Sequence, residues 1–237
     1  MGDNVFEEVL HGHKIEIHQD DDSFNPRDKR EWDNLAIMVC FHGRYILGDS
    51  DHGYEKSNYD SWEELSKAII KEHGPCLMAP LYLYDHSGIT ISIGDFKDRW
   101  DSGQVGFIFI PHSRIRKEYS VKRISKKVME QAQGCMKGEV ETYDDYLTGN
   151  IYGYKVFSDA DGENEIDSCW GFYGDYKAPG GALAEARSIV NDRADTFRNA
   201  IREGIQKAET NKKIDLADKL DAALEHQKEL NKELQPA

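Results

Sequence analysis

The sequence has no apolar run near the roughly 20 residues that a membrane-spanning helix needs. Its first residues, Met1-Gly2-Asp3-Asn4-Val5, lack the basic and apolar segments of a secretory signal. These two absences predict a cytoplasmic protein with no membrane partner. Cysteine is scarce: Cys40, Cys76, Cys135 and Cys169 are widely spaced and form no CxxC pair. In a reducing compartment they read as small hydrophobes, not as disulfides or zinc ligands. Basic charge is also short, with 30 Lys and Arg against 44 Asp and Glu, a net charge of −14. A field of that sign repels phosphate backbones, so direct nucleic-acid binding is disfavoured and a protein partner with a basic surface is favoured.

What is present reads as an α+β protein. The pattern predicts a mostly antiparallel sheet packed against two helices, with a C-terminal helical appendage. Residues 1–12 read as a flexible lead-in, 13–176 as the α+β domain and 182–234 as the helical extension. Lys14-Ile-Glu-Ile-His18 alternates as a half-buried strand does. Leu35–Phe41 is a compact apolar strand, with Arg44–Leu47 as its hairpin partner across His42-Gly43. Ser61 and Glu64 have capping-box spacing ahead of a helix that Gly74-Pro75 stops. Strands follow at 76–84, 89–93 and 105–110, and Pro80 argues against a central position for the first of them unless it sits at a bulge. A long amphipathic helix is expected over 122–147, bent near Gly134 and Gly138, then strands at 151–157 and 166–173. Asp159-Ala-Asp-Gly162 between those strands matches the start of a calcium loop, but the later ligands are misplaced and a plain turn is the better reading. Beyond Gly181 there is no Pro before residue 236 and Gly204 is the only Gly. Two helices meeting near Thr210-Asn211 are predicted there.

The polar residues that suggest chemistry gather at strand ends. His42, Asp49, Asp85 and His86 are candidate ligands for a divalent metal, because imidazole and carboxylate together bind such an ion and activate a water. Asp85, His86 and Asp101 are the candidate catalytic groups of a metal-dependent hydrolase. No HExxH or similar spacing fixes two of them to one face, and Asp85-His86-Ser87-Gly88 serves equally well as a turn with Gly88 at positive φ. Nucleophilic catalysis by Cys169, Ser87 or Ser102 finds less support: a neighbouring carboxylate raises a thiol's pKa, and a Gly-x-Ser-x-Gly elbow is absent. A third set, Trp32, Asp33, Tyr84, Trp100, Gln104 and Trp170, is the candidate binding surface, since clustered aromatics line ligand grooves and protein hot spots as well as cores.

Several short motifs occur together in order. They are Trp32-Asp33-Asn34, Met38-Val-Cys40-x-His42, Tyr45-x-Leu-Gly-Asp49, Leu81-Tyr-Leu-Tyr-Asp-His-Ser-Gly88, Trp100-Asp-Ser-Gly-Gln104, Glu139-Val140 with Tyr143-x-x-Tyr146-Leu-x-Gly149, and Asp167-Ser-Cys-Trp-Gly-Phe-Tyr-Gly174. Over roughly residues 13–176 this combination resembles a family of uncharacterised bacteriophage and mobile-element proteins. The resemblance implies a viral origin and transfers no catalytic residue. The leading expectation is therefore an acidic phage-type accessory protein that binds another protein, for instance to antagonise a host nuclease or defence complex. The metal-dependent hydrolase is the alternative, and a virion or replication component tethered by the helical tail is the third. The single-sheet architecture and the sites proposed from it suppose that the 85–88 turn, the 100–104 turn and the 169–172 strand lie on neighbouring strands of one sheet.

Overall fold

A computed structural model describes residues 2–97, 100–159 and 161–233, without the side chains of 226–233. In chain order its elements are β1 (Asn4–Leu10), β2 (His13–Gln19), β3 (Ile37–Cys40), α1 (Trp62–His73), β4 (Cys76–Asp85), β5 (Ile89–Ser92), β6 (Ser102–Pro111), α2 (His112–Glu118), α3 (Lys126–Thr148), β7 (Ile151–Phe157), β8 (Glu165–Tyr173) and α4 (Ala182–Glu233). The class is α+β and every strand pairing is antiparallel, as the sequence predicts. The strands form two sheets, not one: β1-β2-β7-β8 and β3-β6-β4-β5. The chain divides into two compact units, residues 1–186 and 187–237.

In the first sheet the alternation of β2 separates two environments. Ile15 and Ile17 are fully buried and lie opposite Val156 and Tyr154 of β7. On the other face Lys14 pairs with Glu16 at 2.8 Å and with Glu7 of β1 at 3.2 Å. An apolar face and an ionic face suit a sheet with one side on the core. Residues 4–10, expected as a lead-in, are strand β1. His11 and Gly12 both have positive φ (51° and 79°), the conformation a two-residue hairpin turn requires, and this lets β1 fold back on β2. Met1 lies outside the described residues.

The second sheet is covered on both faces. Val39, Phe107 and Phe109 meet Leu65 and Ile69 of α1 on one side. Met38, Leu81, Ile108 and Ile110 meet Ala132, Met136, Val140 and Tyr143 of α3 on the other. Burial on both faces explains why β6 reads as an unbroken apolar run. Pro80 fits because β5 pairs only with Tyr82–Asp85, so around the proline β4 has β6 on one side alone. Ser61 caps α1, accepting the Glu64 N–H at 3.2 Å, and Ser125 caps α3 in the same way. Gly74 and Gly149 end those helices at positive φ.

Two other expectations change, while the plain turn at 159–162 is found as expected. Arg44–Leu47 is not a strand; a single bridge joins Val39 to Gly48, and Ile46 is 92% exposed. The segment is drawn inward at its far end, where Asp49 turns to a buried arginine. The 159–163 hairpin is closed by the Asp159 carboxylate, which accepts the Gly162 and Glu163 N–H groups at 2.7 and 3.1 Å, so it is a turn; Ala160 lies outside the described residues. The C-terminal region is one helix, not two. Thr210, at the expected break, bonds its hydroxyl back to the Gln206 carbonyl and stays helical. Within the second unit Phe197, Ile201, Ile205, Leu216, Leu220 and Leu224 are exposed, and Leu230 lies outside the described side chains. No helix among the described residues is long and apolar enough to cross a membrane.

Candidate functional site

An aromatic-lined cavity lies at the end of β8. Between Tyr152 and Tyr154 the β7–β8 register slips, so Trp170 and Gly171 together face Gly153. Gly171 takes positive φ (82°), as bulge glycines do. The Trp170 ring is thrown across Gly153, so close that a Cβ there would stand 2.3 Å from ring atom Cε3. His18 of β2 flanks the same indole at 6.1 Å. The Gly171 N–H is held by Asp20 Oδ2 at 3.0 Å, and Asp20 Oδ1 accepts the Asp22 N–H at 3.2 Å. One carboxylate therefore ties the loop after β2 to the bulge. Tyr173 then donates its hydroxyl to the Phe24 carbonyl and stands edge-on to Trp32 with centroids 5.3 Å apart. Burial, helped by the Asp20 charge, raises the Tyr173 pKa, so the phenol keeps the proton this bond uses.

These contacts frame a cleft of about 610 Å³, within the usual range for ligand sites. Phe24, Trp32, Trp170 and Tyr173 wall it, and Asp20, Asp21 and Asp22 form its rim. Asp20 is spent on backbone N–H groups. The Asp21 and Asp22 side chains are exposed, and their carboxylates have no partner among the described residues. Past Ala186 the ten basic and ten acidic residues cancel, so the whole excess of −14 belongs to the unit that contains this cleft. Exposed indole faces beside unneutralised carboxylates attract cations.

Replacing Gly153 by alanine tests this framing. In open space such a change stabilises a protein by about 0.4–1 kcal/mol through the unfolded chain. Here the methyl would meet a ring at 2.3 Å and the Cys169 carbonyl at 2.9 Å. The expected result is a loss of about 1–3 kcal/mol in denaturant melts and a moved Trp170 indole N–H resonance. An unmoved resonance would contradict the close packing.

The polar groups expected to form a metal or catalytic centre are split. The 85–88 and 100–104 turns do meet, through Asp85 N–H to Asp101 C=O at 2.9 Å, but the 169–172 strand belongs to the other sheet. Asp85 is paired with Arg44 and faces His42 Nε2 at 3.7 Å. His42 Nδ1 accepts the Arg44 and Tyr45 N–H groups at 3.3 Å, which leaves the ring proton on Nε2. His86 pairs instead with Asp101, at 3.1 Å. The turn's left-handed residue is Ser87 (φ 59°), not Gly88.

Asp49 is elsewhere, buried against Arg27. Among the described residues no group of three His, Cys, Asp or Glu side chains is placed to hold a metal. The set His42, Asp49, Asp85 and His86 therefore does not assemble: two of its carboxylates already neutralise arginines. Of the expected binding residues, Trp32 and Trp170 share the cleft. Asp33 is exposed and is not one of its walls. Trp100 is 96% exposed at the second sheet's edge, beside Gln104 in a shallow hollow, and Tyr84 packs on Phe96 at 5.9 Å. Cys169 is exposed on β8, remote in topology from His42 and His86.

Three features of the structure carry little signal in the sequence. Phe24 and the Asp20–Asp22 run looked like ordinary loop; three adjacent aspartates after an alternating strand were the available signal. Arg27 gave none. Compared with protein-family models, curated proteins and solved structures, the chain matches none.

Proposed function

We propose that this protein acts without catalysis, by binding another protein that presents a basic surface. The observation that carries this reading is the aromatic cleft rimmed by two aspartates whose carboxylates have no partner among the described residues, in the unit that holds all of the chain's acidic excess. The phage-like motifs support reading such a binder as an accessory protein made during infection. A protein of that kind antagonises a host nuclease or defence complex by occupying the basic surface that otherwise holds DNA. Its acidity serves the same end, because it steers cationic partners in and keeps nucleic acid out.

The test is capture from bacterial lysate by the immobilised full chain and by an Asp21→Asn/Asp22→Asn variant. The wild type is expected to retain basic proteins at about 0.05 M salt and to release them towards about 0.5 M, as screening shortens the reach of surface charge. The variant is expected to retain severalfold less. Salt-insensitive capture, or equal recovery by the variant, would overturn the reading.

A further inference from the structure

The geometry points to a specific group for the cleft: we propose that it receives a guanidinium, the side chain of an arginine on the partner, an inference that rests on the protein-binding reading above. Two kinds of contact are offered side by side. The indoles of Trp32 and Trp170 present flat apolar surface, and each is held in place: Trp32 by the edge-on Tyr173 ring, Trp170 by the missing side chain at Gly153. Walls fixed before the ligand arrives lower the ordering cost of binding. At the rim, Asp21 and Asp22 offer carboxylate oxygens with no partner among the described residues.

A guanidinium uses both contacts at once. Its plane stacks on an aromatic face while its N–H fork reaches carboxylates at the edge, and it stays charged throughout the physiological range. Other cations use only part of the site. A quaternary ammonium has no N–H for the aspartates. A lysine ammonium is a more strongly hydrated point charge that does not stack. A neutral planar group stacks but leaves the two negative charges unanswered. The volume, about 610 Å³, exceeds a single guanidinium and leaves room for the arginine stem with neighbouring peptide units.

The experiment is calorimetric titration of the full chain with N-acetyl-arginine N-methylamide, its lysine counterpart and its citrulline counterpart. Citrulline keeps the shape of arginine and removes the charge. The arginine probe is expected to bind about tenfold more tightly than citrulline and severalfold more tightly than lysine, in line with a charge-assisted contact added to stacking. Asp21→Asn/Asp22→Asn is expected to bring the arginine affinity down to that of citrulline. Trp170→Leu should weaken arginine and citrulline alike, with an unchanged circular dichroism spectrum confirming the fold. Citrulline binding within twofold of arginine would overturn the proposal in favour of apolar stacking. Lysine binding as tightly as arginine would overturn it in favour of simple charge attraction. If no probe binds while the lysate capture keeps its aspartate dependence, the guanidinium assignment alone fails; if both results are negative, the protein-binding reading fails with it.

Discussion

Replacing Arg27 by methionine is expected to destabilise the protein by about 3–5 kcal/mol, the usual consequence of removing one partner from a buried ion pair. The guanidinium is 1% exposed. Its Nε donates to Asp49 Oδ1 at 2.7 Å, one terminal nitrogen donates to Glu139 Oε2 at 2.9 Å, and the other donates to the Ala36 carbonyl at 2.9 Å. The two carboxylates are themselves anchored. Asp49 Oδ2 accepts the Met38 N–H at 3.2 Å, and Glu139 Oε1 accepts the Leu35 N–H at 2.7 Å. One arginine thus joins the 25–36 loop, the start of β3, the turn at 48–49 and α3. Methionine restores much of the volume but leaves the Asp49 charge buried with a single N–H partner.

Urea denaturation followed by circular dichroism measures this loss. Adding Asp49→Asn to Arg27→Met removes the stranded charge while an amide oxygen can still accept the Met38 N–H. Partial recovery of stability is therefore expected. A double variant less stable than Arg27→Met would contradict the explanation, because the damage would then not come from an uncompensated carboxylate.

Gly106→Ala is expected to be nearly as damaging, at about 3 kcal/mol or more, the upper part of the range for overpacking. An added Cβ would lie 1.8 Å from the Val39 carbonyl oxygen, 2.8 Å from its carbon and 3.0 Å from the Cys40 Cα. These are backbone atoms of β3, so no side-chain rotation relieves the overlap. The strands would have to part where Phe41 N–H bonds the Val105 carbonyl at 2.7 Å. Gly103 is the control on the same strand: nothing lies within 4 Å of its Cβ direction. Gly103→Ala should be neutral or stabilise by up to about 1 kcal/mol. Comparable melting curves for the two variants would show that β3 and β6 are not in such close register.

The features legible in the sequence were those set by local pattern. The Ile15/Ile17 alternation, the Ser61 cap and the Gly74 stop depend on neighbours within a few residues, and each was readable. The division into two sheets was not, because strand order depends on contacts between residues far apart in the chain. β2 pairs with β7 across more than 130 positions, and nothing in either strand names the other. The site shows the same contrast. Trp32 and Trp170 were picked out as binding residues by type, yet only folding shows that they share a cleft and that Trp100 does not. Asp49 misleads for the opposite reason: by type and place it reads as a metal ligand at a strand end, whereas its partner Arg27 lies 22 residues away in a polar loop.

The central claim is that cationic partners enter the cleft between Trp32 and Trp170. Four tryptophans, Trp32, Trp62, Trp100 and Trp170, make it directly observable, since each gives one indole N–H resonance. Those resonances should be followed by NMR as an arginine-rich peptide is added, with assignments from single Trp→Phe variants. The account predicts saturable shifts at Trp32 and Trp170, with Trp62 and Trp100 unmoved. Shifts confined to Trp100, on the Asp85–Asp101 edge of the other sheet, or no shift at either cleft tryptophan while the peptide binds, would contradict it.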